Sequence, residues 1–126
     1  MKKFKLNMQS WNVSVMKPAP TEAEPYAMKR EEITYPFREN LSGFLRAAGV
    51  FKTGEEIAEA VVLAKTIRDS EDTNDYLMLD EREADILKTA LNRHIEATAE
   101  NKTSLPFGGE VHEEAILRVF SMEEVQ

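Results

Sequence analysis

Apolar residues change their spacing once along this chain, and that change limits what it can fold into. Phe4, Leu6 and Met8 alternate with polar residues, and Trp11, Val13 and Val15 do so again. A two-residue period turns one face of a strand to a core and the other to water. It predicts two short strands meeting near Gln9 and Ser10, or one long bent strand. Residues 17–25, KPAPTEAEP, hold three prolines and no large apolar side chain, and read as a linker. Ile33, Tyr35 and Phe37 mark a third strand, which Pro36 confines to an edge because proline has no amide to donate.

From Leu41 the period is helical. Leu41, Phe44, Leu45 and Ala48 share a face, and Gly49 stands where a left-handed cap residue sits. Gly43 inside this segment costs about 1 kcal/mol against alanine, which points to close packing there or to a short helix. Thr53 and Glu56 have capping-box spacing and open a second helix with Ile57, Ala60, Val61, Ala64 and Ile67 on its face. Val62 and Leu63 widen that face, which predicts the central, most buried helix.

Residues 69–75 are an acidic loop and 76–79 a short strand. Asp80 is an N-cap with Glu83 as its reciprocal partner, and Glu81 and Asp85 place negative charge near the positive end of the helix dipole. Ala84, Leu87, Leu91, Ile95 and Thr98 line this third helix, and Asn101 stops it. Residues 103–109 form a loop, and 110–122 a last helix. The expected fold is α+β, with about four helices packed on a small antiparallel sheet from the N-terminal third. A chain of 126 residues suits one domain, here with residues 1–30 as a basic arm or hairpin joined by the linker at 17–25.

Chemistry is sparse. The chain has no cysteine, which excludes disulfides, thiolate metal sites and a cysteine nucleophile. Asp69, Glu71, Thr73, Asp75 and Asp80 alternate as calcium ligands would, but Asn74 stands where an EF-hand loop needs glycine, and the twelfth position lacks its glutamate. The stretch reads as a solvated loop leading into a helix, with no specific metal. His94 and His112 fall on different expected helices, each beside an apolar residue, so they are boundary histidines and not a ligand pair. Walker, dinucleotide and serine-hydrolase signatures are absent. No cofactor and no catalytic residue is expected.

Charge is uneven. Residues 1–30 carry six Lys/Arg and two Glu, whereas residues 31–126 carry ten Lys/Arg and twenty-one Asp/Glu. So acidic a body repels phosphate backbones and does not bind nucleic acid directly. The longest apolar run, from Ala60 to Ala64, falls far short of the about 18 residues of a membrane span, and no signal-peptide segment follows Lys5. A cytoplasmic protein is expected. Trp11, Tyr26 and Tyr35 are the candidate partner-binding residues, since tryptophan and tyrosine dominate interface hot spots. The other reading of Trp11, Tyr35 and Phe37 is that they cover the helices, whereas Tyr26, beyond the prolines, is exposed.

Three motifs carry a resemblance. YPFRENL (residues 35–41), GEEI (54–57) and LDEREADIL (79–87) lie within residues 32–94, a stretch similar in layout to small accessory proteins encoded by bacteriophages. The resemblance covers about half the chain and implies no site residues. Together these observations lead to the expectation of a non-enzymatic protein-binding regulatory or accessory factor, acting in host cytoplasm if phage-encoded. Two alternatives stand beside it: a virion structural or assembly component that self-assembles, and an acidic nucleic-acid mimic that blocks a host DNA-binding protein.

Overall fold

A computed structural model of the chain describes residues 2–70, 75–100 and 110–125. In chain order its elements are β1 (Lys3–Asn7), β2 (Asn12–Pro18), β3 (Met28–Thr34), α1 (Phe37–Arg46), α2 (Gly54–Arg68), β4 (Tyr76–Asp80), α3 (Glu81–Ala99), a 3-10 turn (Glu110–His112), α4 (Glu113–Phe120) and β5 (Glu123–Val125). The fold is α+β, with small antiparallel sheets, as the change of period implies.

The strand pairing differs from the expected one. β1 and β2 do not pair with each other. β1 lies in the middle of a three-stranded sheet, with β4 on one side (Lys3↔Asp80 to Asn7↔Tyr76) and β5 on the other (Lys3↔Val125). Its alternation then does what a period of two should. Leu6 and Met8 are buried with Leu79, while Lys3 and Lys5 share the opposite face with Met78 and Asp80. The N-terminal segment is therefore core and not a basic arm.

β2 and β3 form a separate two-stranded ribbon. The supposed linker is its hairpin: Lys17 and Pro18 belong to β2, the Ala19 amide donates to the Ala27 carbonyl (2.8 Å), and Thr21 and Glu24 close the turn. Prolines are tolerated because the residues whose amides face β3 are Trp11, Ala19 and those in step with them, so position 18 points its missing amide outward. The third strand also ends early. After Thr34 the backbone turns at Pro36, and Phe37 opens α1, where a preceding proline removes no helical hydrogen bond.

α3 is the central helix. Ala84, Ile86, Leu87, Ala90 and Leu91 are buried, and it packs on α1, α2, α4, β1 and β4. This corrects the expectation for α2, which buries Ala60, Leu63, Ala64 and Ile67 but leaves Val62 65% and Ile57 47% exposed. α2 is apolar around more of its circumference than its neighbours α1 and α3 cover. α1 is short, ten residues, with open space around Gly43, and Gly49 (φ 81°) turns the chain toward α2.

Both expected caps form. The Thr53 hydroxyl accepts from the Glu56 amide (3.2 Å). Asp80 Oδ1 accepts from the Glu83 amide (2.7 Å) while Glu83 Oε1 accepts from the Asp80 amide (3.0 Å), a complete box whose cap contributes about 1 kcal/mol. The acidic stretch is thus a helix start on its Asp80 side. Residues 71–74 of the calcium-like loop, Asn101 and the expected loop at 103–109 lie outside the described residues.

Candidate protein-binding surface

Of the three aromatic residues singled out by sequence, two hold the ribbon to the body and one stands clear of it. Tyr35 and Trp11 extend the β2–β3 ladder by one rung, with the Tyr35 amide donating to the Trp11 carbonyl (2.9 Å). Their rings stack at 4.7 Å, and Phe37 meets Trp11 edge-on at 4.9 Å. The Arg118 guanidinium lies over the Trp11 ring at 4.2 Å and donates to the carbonyls of Asn7 (3.2 Å) and Gln9 (2.6 Å), the segment linking β1 to β2. Tyr35 is 4% exposed and is no surface anchor. Trp11 is half-buried, packed against the core. Both serve the second reading of these rings, as cover for the helices.

The Tyr35 hydroxyl lies 2.7 Å from His112 Nδ1. Burial raises the Tyr35 pKa, and a side-chain hydrogen bond with Asn40 opposes the rise. Burial lowers the His112 pKa, which favours the neutral ring. A histidine with a depressed folded pKa favours the native state fully above its unfolded value, about 6.5, and loses that contribution as pH falls through the folded value. The melting temperature should therefore drop on acidification from pH 7 toward 5, and His112→Gln should flatten that part of the profile. An unchanged slope in His112→Gln would assign the titration to another group. His94 has its Nε2 3.0 Å from the Phe44 carbonyl, and the Phe44 ring meets both histidines, with centroids 5.2 Å from His94 and 6.1 Å from His112.

The far end of the ribbon is different. Tyr26, in the hairpin turn, is 93% exposed, and Met16 and Met28 are each more than half exposed. The register Met16↔Arg30 and Pro18↔Met28 puts both methionines and Pro18 on one face. β3 carries a second feature. Met28, Arg30, Glu32 and Thr34 point their backbone amides and carbonyls away from β2, along an edge that no strand among the described residues pairs. The opposite face holds the Lys17–Glu31 ion pair (3.2 Å), too exposed to add much stability. Sequence reading placed Tyr26 at the surface but did not single out Met16 and Met28. Their signal was present as two flexible apolar side chains on either side of a proline-rich turn, and it was hidden while that turn was read as a linker.

Among the described residues, no three His, Asp or Glu side chains are grouped to hold a metal ion. No described helix is long and apolar enough to cross a membrane. No protein-family model, curated protein or solved structure matches the chain.

Proposed function

We propose that this protein is a non-enzymatic binding factor, a small regulatory or accessory protein that engages a protein partner through the tip of the β2–β3 hairpin. One observation carries the reading: Met16, Tyr26 and Met28 are exposed together at the end of a ribbon. Exposed apolar clusters of this kind mark interaction sites, tyrosine is a frequent hot-spot residue, and methionine adapts to irregular partner surfaces. The β3 edge, which no strand among the described residues pairs, adds main-chain donors and acceptors of the sort used in strand addition. The motif layout shared with phage accessory proteins favours a phage gene acting in the cytoplasm of a bacterial host. A virion assembly component would use the same tip between copies of the chain.

The test is a comparison of the wild-type protein with Tyr26→Ala/Met28→Ala as bait in a bacterial lysate, read by mass spectrometry. Capture of a specific protein should fall at least tenfold in the double variant, while its melting temperature stays at the wild-type value because both side chains are exposed. Capture that survives the double substitution would sink the hairpin reading. Concentration-dependent oligomers of the wild type that vanish in the variant would move the assignment to self-assembly.

A further inference from the structure

α2 and α3 leave a groove of about 380 Å³ between them. Ala58, Val62 and Leu63 of α2 and Ile86 of α3 make its lining apolar. Val62 lies open to solvent at its lip. At one side Arg82 grips Glu59 with two hydrogen bonds, Nε to Oε2 at 2.7 Å and Nη2 to Oε1 at 3.0 Å. Asp80 and Glu83 stand at its end, their carboxylates already accepting backbone amides in the α3 cap.

The surrounding charge is one-sided. The groove's charged lining is Glu59, Asp80 and Glu83 against Arg82, and Glu55, Glu56, Glu81 and Asp85 stand elsewhere on the same two helices. Arg82 is committed to Glu59, and that hydrogen bond holds the Glu59 carboxyl below its usual range. An apolar strip in such a setting selects its occupant by charge. Nucleic acid and anionic membrane are repelled. A second copy would bring the same acidic lining against this one across a two-fold axis, and like charges would face each other. The lysines of the chain's own N-terminal strand are held on the β1 sheet, in register with β4 and β5.

We propose that the α2–α3 groove docks a basic amphipathic helix of a partner protein, its apolar side chains entering the strip and its lysines or arginines facing the carboxylate rim. The groove is walled by side chains of two helices and offers no free backbone edge, so its complement is a helix face with apolar residues at i, i+3/i+4 and i+7. This surface is distinct from the hairpin tip and does not depend on it.

The probe is a fluorescently labelled 18-residue synthetic peptide with leucines on one helical face and lysines on the other, titrated with the full chain and followed by anisotropy. Saturable one-to-one binding that weakens at high salt is expected. Val62→Asp should weaken it at least tenfold with no loss of folding, since the side chain is exposed. That substitution also adds a negative charge, so attraction by charge alone would strengthen binding instead. Ala58→Lys should weaken it as well, and Tyr26→Ala should leave it unchanged. The proposal is overturned if the peptide does not bind, or if a scrambled peptide of the same composition but no single apolar face binds as tightly. It is equally overturned if Val62→Asp has no effect, or if the wild type forms a dimer in sedimentation that Val62→Asp abolishes.

Discussion

A chain lacking residues 1–8 is expected to lose the helical circular dichroism of the whole molecule, not merely an appendage. β1 supplies the middle of the three-stranded sheet, so its removal leaves β4 and β5 with no strand between them. It also withdraws Leu6, fully buried, and Met8, nearly so. Leu6→Ala alone should cost about 3–5 kcal/mol, because a leucine in a closed core leaves a cavity as well as losing transfer energy. That is a large share of the about 5–15 kcal/mol that holds a typical domain together. Lys5→Ala, by contrast, removes only an exposed contact over the Tyr76 ring (3.8 Å), worth about 0.5–1 kcal/mol. Urea denaturation of the two point variants and circular dichroism of the truncation measure all three. Wild-type ellipticity and melting in the truncated chain would make β1 an arm after all.

Arg118 should be the most sensitive charged residue. Its side chain is only 11% exposed, and it joins three things at once: the Trp11 ring, the carbonyls of Asn7 and Gln9, and the Glu114 carboxylate at 3.0 Å. Arg118→Ala takes the donors from two carbonyls and the cation from the indole, at about 2–4 kcal/mol together. Arg118→Lys should recover less than half of this, since an ammonium cannot lie flat on the ring while reaching both carbonyls. Trp11, the chain's one tryptophan, provides the readout: its emission should shift to longer wavelength in Arg118→Ala as water reaches the indole. A stability loss below about 0.5 kcal/mol would show the cluster to be held by the Trp11–Tyr35 stack instead.

The elements that were legible in the sequence are those governed by neighbours a few residues apart. The starts of α2 and α3 could be read because an N-cap and its partner lie three residues from each other, as Thr53–Glu56 and Asp80–Glu83 do. β4 was legible as a short apolar run, residues 76–79, between polar stretches. What could not be read depends on distant pairing. Nothing near Lys3 announces that its neighbours are Asp80 and Val125. Pro18 looked like a strand breaker because its outward direction is set by β3, ten residues away. Tyr35 and Phe37 are both buried, as their alternation implies, yet the backbone changes from strand to helix between them. Val62 was placed in the core because apolar content alone cannot tell a helix covered on two sides from one covered on all. Tyr26 needed only its turn residues to be placed at the surface; Tyr35 needed His112 and Arg118's neighbours, far along the chain.

The central position of β1 has a consequence for how the protein is made. Its five residues are synthesised well before both of its neighbours, since β4 begins at Tyr76 and β5 at Glu123. At about 5–20 residues per second, a nascent β1 waits seconds for its first neighbour and longer for its second. Throughout that interval Phe4, Leu6 and Met8 are an apolar strand with two open edges, the kind of segment that aggregates on the ribosome. Lys2, Lys3 and Lys5 interleave with it and repel other copies of the same segment. Charge interleaved in this way opposes association of the strand before its neighbours arrive.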